Sequence, residues 1–169
     1  MPQFTPVSVT DVGALALLTQ YFSDRESSFP SAQGTYRTTF PSPDQFVPPR
    51  GVFLLVSEDG EGATGTEATA VPYLGCGGIR RIDDSADAAV RYEIKHLFLR
   101  PEARGRGWGR ALLAELERRA KEFGADEVVL DTNSSLEAAG ALYTRSGYDD
   151  VPPYNDNPNA TNWYRKRLT

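Results

Sequence analysis

The eleven residues from Arg100 to Arg110 constrain the fold more than any other part of this chain. They contain four arginines and three glycines, and they separate a strand-like run, 92–99, from a helix-like run, 111–123. A strand that turns through glycines into a helix leaves backbone N–H groups unpaired at the helix start, where the helix dipole also attracts anions. Four arginines against one acid, Glu102, give the turn a local charge of +3 in a chain of net charge −5. The turn therefore predicts an anion-binding site suited to phosphate.

Length and composition limit what kind of protein this is. With 169 residues, 40 % of them hydrophobic and 24 % charged, the chain is expected to form one globular domain, 1–169. Its acidic balance, with a pI near 4.9, argues against nucleic-acid binding. No run is apolar enough for a membrane helix and the N-terminus has no signal-peptide pattern. A single cysteine and a single histidine disfavour a disulfide or a zinc site, so we expect a cytoplasmic protein without a metal.

The first half of the chain predicts one helix followed by antiparallel strands. Five apolar residues have the spacing of a one-sided helix: Ala14, Leu15, Leu18, Tyr21 and Phe22. Five prolines interrupt 23–50, and the aromatic residues in that segment are typical of an ordered binding loop, which we expect on the substrate side. Strands are predicted over 52–57, 73–82 and 88–99, with a flexible hairpin tip over 58–70. Their short polar connections favour antiparallel pairing.

The second half predicts a parallel crossover. A helix over 111–123 ends at Gly124, and a buried strand follows over 127–131. Strand, helix and strand over 92–131 form a right-handed βαβ unit and the core of the domain. Ser134 or Ser135 is expected to cap a short helix that runs to Arg145, and two weak strands are expected within 148–168. The predicted fold class is α/β, with a mixed sheet in one domain.

Two phosphate-binding patterns do not fit the turn. The Gly-x-Gly-x-x-Gly fingerprint of dinucleotide folds is not met by 105–109, although Asp126 and Asp131 lie roughly where a ribose-binding acid would be sought. The antiparallel strands before the turn do not suit a doubly wound nucleotide fold either. A P-loop requires Gly-Lys-Ser/Thr, which the turn lacks.

A third pattern fits the turn. Residues 104–109 match Arg/Gln-x-x-Gly-x-Gly/Ala, the pyrophosphate loop of acyl-CoA-binding enzymes. Together with 93–104 on the strand side and with Leu142-Tyr143 and Gly147-Tyr148 downstream, the sequence closely resembles the GNAT superfamily of acetyl-CoA-dependent N-acetyltransferases over about 50–168. The resemblance implies the GNAT acyl-CoA N-acyltransferase fold, in which a mostly antiparallel sheet has one parallel pair that splays apart at the CoA site.

The resemblance also implies where acetyl-CoA binds as the acyl donor. A bulge near the end of strand 93–99 would present backbone N–H groups to the thioester carbonyl and the pantetheine arm. Glycines in the turn allow positive φ and close approach of the backbone to the pyrophosphate. Asn133 matches a position that binds pantetheine or an ordered water, although a simple turn residue before the helix is an equal alternative. The expected donor-binding residues are Leu97, Phe98, Leu99, Arg104, Gly105, Arg106, Gly107, Trp108, Gly109, Arg110, Asn133 and Tyr143.

Two residues are expected to be catalytic. Tyr143 corresponds to the family's general acid, which protonates the departing CoA thiolate, although a tyrosine on that helix face would also pack well. Glu93 is the candidate base that deprotonates the amine, directly or through water; the alternative is a salt bridge with Lys95. His96 is chemically suited to the same task but could be a packing residue. In strand alternation, Glu93 and Lys95 share a face with 97 and 99 until the bulge changes the phase.

The acceptor is less defined than the donor. It is expected to be a primary amine of a small molecule or of a peptide, recognised by 23–50 and by the tip at 154–157. Transfer would occur by direct attack in a ternary complex, without an acyl-enzyme, and Cys76 is expected to be a small buried residue. A catalytically silent acyl-CoA sensor is the alternative function. Homodimerisation through a sheet edge is compatible with such a chain, whereas nucleic-acid and membrane partners are not expected.

Overall fold

The computed structural model describes residues 1–59 and 73–169. Its strands are β1 (Pro2–Val7), β2 (Gly51–Glu58), β3 (Gly75–Arg81), β4 (Arg91–Leu99), β5 (Glu127–Thr132), β6 (Asp149–Val151) and β7 (Asn162–Arg167). Its helices are α1 (Val12–Ser28), α2 (Trp108–Glu122) and α3 (Glu137–Arg145), with short 3₁₀ turns at Ser31–Gln33, Pro43–Phe46 and Pro101–Ala103. None of the helices in these two ranges is long and apolar enough to cross a membrane. The hairpin tip expected over 58–70 lies, from residue 60 onward, outside the described residues.

All of these strands belong to one mixed sheet in the order β1-β2-β3-β4-β5-β7-β6. Neighbouring strands pair antiparallel except β4 and β5, which α2 connects and which pair in parallel. A parallel pair requires a crossover of about a dozen residues or more, and the 100–126 connection, which contains α2, supplies it. The predicted fold class, with three antiparallel strands before one parallel pair, is confirmed.

The sheet is covered on both faces. Val52 and Leu54 of β2 face the core layer that contains α2, whereas Phe53 and Leu55 face the layer that contains α1. Seven of the eight β2 residues are therefore buried, which explains its continuous apolar sequence. Burying that strand between two helical layers fixes the sheet against which both helices are positioned.

Helix α1 is longer than the apolar spacing predicts. It begins after Asp11, whose side chain accepts hydrogen bonds from the N–H groups of residues 13 and 14, and it continues to Ser28. The residue after it is extended because Pro30 follows, and a residue before proline disfavours the helical region. The prediction of a loop that starts at residue 23 is thus wrong for residues 23–28, which belong to α1. The buried face also differs: Leu17 is 1 % exposed and Leu15 41 % exposed.

Strand β1 was not expected from the sequence. It contains two prolines and, among the strands of residues 1–59 and 73–169, lies at the edge of the sheet and pairs with β2 alone. Proline cannot donate to a strand ladder, but an edge strand has one side on which no donor is needed. The edge position therefore permits a sequence that lacks the alternation of a typical strand.

The start of α3 also differs from the prediction. Leu136 occupies the position before the helix and makes no side-chain cap, so neither Ser134 nor Ser135 caps it. The side chain of Asn133 instead accepts a hydrogen bond from the N–H of Ser135 at 3.0 Å, which turns the chain before the helix. As predicted, Gly124 follows the end of α2. Gly147 follows the end of α3, and both glycines have positive φ.

Candidate active site

Two cavities open on opposite sides of the end of β4 and meet there. The first, which we call the turn cavity, has a volume of about 930 Å³ and lies between the 104–110 turn, the end of α1 and α3. The second, the loop cavity, has a volume of about 600 Å³ and lies beneath the 36–45 and 155–159 loops. Five residues line both cavities: Tyr21, Arg25, Leu97, Leu136 and Ala139. A molecule in one cavity can therefore contact a molecule in the other near Leu97.

Glycine conformation shapes the turn cavity. Gly105 and Gly107 have φ of 73° and 78°, in the left-handed region that side chains disfavour, and neither has an atom within 4 Å of a built Cβ. Gly107 immediately precedes α2 and provides no side-chain cap. The first N–H groups of α2 consequently remain available at the cavity wall, next to Trp108 and Gly109. The positive-φ glycines and the open helix start are the features on which the predicted anion site depends.

The arginines of the turn are not equivalent. Arg104 and Arg110 line the turn cavity, and the Nε–H of Arg104 donates to the Leu99 carbonyl at 2.9 Å. Arg106 lies over the Trp108 ring and pairs with Glu58, whose pKa this hydrogen bond lowers. The guanidinium of Arg106 is therefore held outside the cavity wall. Arg145 of α3, which sequence reasoning missed, lines the same cavity and lies in the last turn of its helix.

The expected bulge is present in β4. Cys76 pairs with Phe98 but Gly78 pairs with Lys95, so two residues of β4 oppose one of β3. His96, one of the two, has φ of 56°. The bulge shifts the alternation: Glu93 and Lys95 point to the α1 face, whereas Leu97 and Leu99 pack on the α2 face. A β-bulge re-aims the following side chains in this way.

Strands β4 and β5 separate just before the bulge. Their parallel pairing stops at the pair Glu93 and Val129, although β4 continues for six residues and β5 for three. Beyond that pair, the edge of β4 that faces β5 has no strand partner among the described residues. Backbone groups of 94–99 on this edge are therefore open to a ligand, and Leu97, Phe98 and Leu99 line the turn cavity.

Tyr143 lies on the wall of the loop cavity. It extends from α3, is 6 % exposed, and packs against the rings of Tyr148 and Tyr164 with centroids 5.9 and 5.8 Å away. Burial raises the pKa of Tyr143, so its hydroxyl keeps its proton at neutral pH. The hydroxyl makes no hydrogen bond with the residues that the structure describes, which leaves it available to donate.

Glu93 is engaged within the protein. Its Oε1 accepts two hydrogen bonds from the Arg80 guanidinium at 2.8 and 3.0 Å, and its Oε2 accepts one from the Tyr154 hydroxyl at 2.7 Å. Glu93 is 1 % exposed and does not line the loop cavity. The Lys95 ammonium lies 3.9 Å from Oε2. The salt bridge between Glu93 and Lys95, which the sequence suggested as the alternative role of Glu93, is therefore present at long range. This carboxylate holds its neighbours in place and does not face the cavity.

Asp131, in contrast, lines the loop cavity. It lies near the end of β5, beyond the point where β4 and β5 separate, and accepts hydrogen bonds from Lys95 at 3.3 Å and from Asn155 at 2.7 Å. From the sequence, Asp131 was predicted only as a possible ribose ligand, so its position at this cavity was missed. Its place at the end of a buried strand was the available signal.

His96 lies among aromatic rings. Its imidazole contacts Tyr21, Phe22 and Phe46, with ring centroids 5.4 to 6.4 Å away. Burial, more than the nearby charge of Lys95, lowers the pKa of His96 to about 3. A group with so low a pKa accepts a proton poorly at neutral pH, so the packing role fits His96 better than the basic one.

Two loops are tied together across the loop cavity. The N–H of Arg37 donates to the Asn159 side chain at 2.9 Å, and the Asn159 side chain donates back to the Arg37 carbonyl at 2.8 Å. Asn133, which is 1 % exposed, donates to the side chain of Gln33 at 2.7 Å and to the Asn159 carbonyl at 3.1 Å. These bonds use both donors of the Asn133 amide, so this residue joins the two loops and the turn before α3.

Arg25 is the most unusual residue in the site. It is 7 % exposed, lines both cavities, and has no carboxylate partner within residues 1–59 and 73–169. Its Nη1 makes no hydrogen bond with any residue that the structure describes, and its guanidinium lies 5.3 Å from the centre of the Tyr36 ring. Burial raises the pKa of Tyr36, and the charge on Arg25 opposes that rise. Sequence reasoning missed Arg25 because the helix was expected to end before it, although it continues the stripe of Ala14, Leu18 and Phe22.

Comparison with known proteins identifies the family. The model of the acetyltransferase (GNAT) family matches residues 16–148. An uncharacterised N-acetyltransferase of Schizosaccharomyces pombe is 31 % identical over 114 residues, which cover 68 % of this chain and 61 % of that protein. An IAA acetyltransferase of Azospirillum brasilense is 35 % identical over 82 residues, which cover 48 % of this chain and 50 % of that protein. The chain thus spans between a third and about three fifths of the length of the curated relatives that it matches.

Solved structures share the fold. The crystal structure of an acyl-CoA N-acyltransferase assigned in Klebsiella pneumoniae has a TM-score of 0.72 at 24 % identity, covering 100 % of this chain and 99 % of that one. A phosphinothricin acetyltransferase of Sinorhizobium meliloti in complex with AcCoA has a TM-score of 0.62 at 17 % identity, covering 99 % and 88 % of the two chains. At these identities the likeness concerns the fold alone.

Proposed function

The chain belongs to the GNAT family of acetyltransferases, and we propose that it transfers an acetyl group from acetyl-CoA to a small primary amine. The observation that carries this proposal is the meeting of the turn cavity and the loop cavity at Leu97, beside the open edge of β4. A donor in one cavity and an acceptor in the other would place thioester and amine together. Since all strands in the described ranges belong to one sheet, we further propose that residues 1–169 act as a single domain.

The turn cavity would hold acetyl-CoA. The pyrophosphate would lie at the start of α2, where backbone N–H groups of 105–110 and the guanidinium groups of Arg104 and Arg110 face the cavity. Arg106 would contribute through the fold of the turn, since it is paired with Glu58. The pantetheine arm would run along 97–99, and Asn133 would hold the loops that border it. A backbone donor aimed at the developing oxyanion can be worth about 3 kcal/mol.

The proposed reaction needs no acyl-enzyme. The amine loses a proton, its nitrogen attacks the thioester carbonyl carbon, and the carbonyl oxygen takes up the negative charge beside the β4 backbone. As the carbonyl re-forms, the carbon–sulfur bond breaks and the CoA sulfur takes a proton from the Tyr143 hydroxyl. The nitrogen gives up a second proton as the amide forms, and Tyr143 regains one, so one proton in all is released to solvent. Cys76 is buried on the α1 face and takes no part.

Asp131 is our candidate for the group that takes the proton from the amine. Its carboxylate lines the loop cavity, whereas Glu93 is closed off by Arg80 and Tyr154. We therefore assign to Glu93 a positioning role, through Arg80 and Lys95. Replacing Asp131 by Asn should lower kcat by about 100-fold, because a general base commonly contributes about 10²–10⁴-fold.

Glu93→Gln is the matched variant for Asp131→Asn. It should destabilise the fold by about 1–3 kcal/mol, because Arg80 loses its counter-charge, while a smaller part of kcat is lost. Steady-state kinetics with urea unfolding separates the two effects. If Glu93→Gln lowers kcat as much as Asp131→Asn without loss of stability, the assignment of the base is wrong.

The tied loops favour a small acceptor. The bonds between Arg37 and Asn159 cross the loop cavity, and Asn133 joins Gln33 to the same loop. A cavity of about 600 Å³ is within the range of about 300–1,000 Å³ that small ligands occupy. A peptide that continues beyond its first residues would have to separate these contacts.

The test is turnover with purified protein. Acetyl-CoA should raise the melting temperature, and release of free CoA thiol should depend on an added amine. Absence of both effects would contradict the proposal. Acetyl-CoA binding without turnover over a broad amine panel would instead support the alternative, a catalytically silent acyl-CoA sensor.

A further inference from the structure

Arg25 differs from the other buried or half-buried cations of the loop cavity. Lys95 pairs with Asp131, and Arg80 pairs with Glu93. Arg25 is more buried than either, and no carboxylate in the described ranges pairs with it. A buried cation without a counter-charge is costly to maintain. The contact with the Tyr36 ring offsets part of this cost but does not neutralise the charge.

The position of Arg25 indicates what neutralises it. It lines both cavities, in the same wall as Tyr21 and Leu97. The acetyl thioester is uncharged, and the proposed function assigns the pyrophosphate to the start of α2, whereas Arg25 lies on α1. The missing negative charge must therefore enter with the acceptor, close to the amine that reacts. A carboxylate fits, because one guanidinium matches one carboxylate in charge and in its paired donors.

We propose that Arg25 binds a carboxylate of the acceptor, and that the acceptor is a small amino carboxylate of the α-amino acid type. This inference rests on the proposed function. The positive charge of Arg25 would disfavour polyamines and aminoglycosides as acceptors, because these molecules carry several positive charges of their own. Arg37 also lines the loop cavity but is exposed, so its charge is screened and contributes less.

Matched pairs of amines test the proposal. Phenylalanine is compared with phenethylamine and phenylalaninamide, and methionine with 3-(methylthio)propylamine, by release of CoA thiol. Within each pair the side chain is the same and only the carboxylate changes. We expect kcat/KM to be about 10- to 150-fold higher for the carboxylate, because a charged hydrogen bond contributes about 1.5–3 kcal/mol and each 1.4 kcal/mol is tenfold. Equal rates for acid and neutral amine would overturn the inference and leave the proposed function intact.

Variants of Arg25 test whether this residue causes the selectivity. In Arg25→Gln the ratio of kcat/KM for the amino acid to kcat/KM for the neutral amine should fall to near one. Arg25→Lys should retain part of the wild-type ratio. Arg37→Gln is the matched control, because Arg37 is an exposed arginine of the same cavity, and its ratio should change less than threefold. Selectivity that survives in Arg25→Gln would overturn the proposal. Acetyl-CoA binding to Arg25→Gln, measured by calorimetry, shows that the turn cavity has kept its structure.

A binding measurement covers the case in which none of these amines is acetylated. The probe is 3-phenylpropionate, which carries the carboxylate without the amine, titrated into the protein saturated with CoA. It should bind the wild type at least about tenfold more tightly than it binds Arg25→Gln. Equal affinity for the two proteins overturns the proposal. A wild type that does not bind acetyl-CoA at all contradicts the proposed function itself, so the two failures are distinguishable.

A stability measurement excludes a purely structural role. Arg25→Met should raise the melting temperature without ligand, because it removes a buried charge that has no carboxylate partner in the described part of the chain. An arginine that stabilised the fold would give the opposite sign. A lower melting temperature for Arg25→Met would therefore count against the proposal.

Discussion

The turn cavity and the loop cavity share a wall but are built differently. Much of the turn cavity comes from one continuous stretch, 97–110, in which glycines and the start of α2 form part of the wall. The loop cavity takes residues from α1, the 36–45 loop, β3, β4, β5, α3 and the 155–159 loop. Its chemistry is that of side chains, with the pairs Lys95–Asp131 and Arg80–Glu93 and with Arg25, which no carboxylate of residues 1–59 and 73–169 pairs with.

Because the two cavities are built differently, we expect substitutions to change them in different ways. Backbone groups are present whatever the side chains are, so the turn cavity depends on conformation at a few glycines. The loop cavity depends on which side chains meet after folding, and an exchange at Arg25 or Asp131 would change its charge without altering the sheet. We therefore expect variants in the turn cavity to affect the donor and variants in the loop cavity to affect the acceptor or the chemical step.

The largest effect should come from Tyr143, on the loop-cavity side. Tyr143→Phe keeps the ring packed against Tyr148 and Tyr164 and removes only the hydroxyl. We expect kcat at saturating substrates to fall about 100-fold, because general acids commonly contribute about 10²-fold or more. The KM for acetyl-CoA should stay within about threefold. A kcat within threefold of the wild type would show that solvent protonates the CoA thiolate and that Tyr143 is a packing residue.

A second test uses pH to examine His96, which lies among aromatic rings at the loop cavity. The pKa of His96 is about 3 in the folded protein, below the value of about 6.5 in an unfolded chain. As pH falls through this range the unfolded chain binds a proton that the folded protein does not, so stability decreases. Between pH 7.5 and 5.0 this group should lower the free energy of unfolding by about 2 kcal/mol.

Urea unfolding at a series of pH values measures that loss. His96→Asn is the suitable variant, because His96 has positive φ and asparagine tolerates that region. The variant should lose less stability than the wild type between pH 7.5 and 5.0. Acids with lowered pKa values, such as Glu115, titrate below this window. If the free energy of unfolding depends on pH in the same way for the two proteins, His96 takes up a proton in the folded protein as readily as in the unfolded chain, and the prediction is wrong.

The smallest effect should come from the turn cavity. Gly107→Ala places a side chain at φ of 78°, which costs about 1–2 kcal/mol, and should raise the KM for acetyl-CoA by about tenfold. Gly124→Ala is the control: Gly124 has φ of 95° and no atom within 4 Å of the position of a Cβ, but it follows the far end of α2 and does not line the turn cavity. It should cost a similar amount of stability and leave the KM for acetyl-CoA unchanged. Equal effects of the two substitutions on this KM would contradict a role of the turn backbone in binding acetyl-CoA.

Much of the fold could be predicted, and the errors have physical reasons. The apolar run of β2 and the crossover through α2 predicted the central sheet, because burial on both faces and the need for a long connection leave few alternatives. Strand β1 was missed because an edge strand tolerates proline. The end of α1 was misplaced because 23–28 lacks the apolar pattern, although Arg25 is buried there.

The candidate site was predictable only in part. The bulge in β4 and the glycine turn were expected from the resemblance and are present in the structure. Glu93 and Asp131 could not be told apart, because both are acids on neighbouring strands. In the folded protein Arg80 and Tyr154, which lie far apart in the chain, enclose Glu93, whereas Asp131 lines the loop cavity.

The sequence by itself determined the α/β sheet, the resemblance to the family and the glycine turn, because these depend on local conformation and on residues close together in the chain. Only the tertiary structure decided which side chains face the loop cavity, that Glu93 is enclosed and Asp131 exposed to it, and that Arg25 is buried without a carboxylate partner in the described residues. The physical reason is that burial and charge pairing are properties of neighbours in space. Residues 80 and 93, or 95 and 131, become neighbours only when the strands that carry them have joined one sheet.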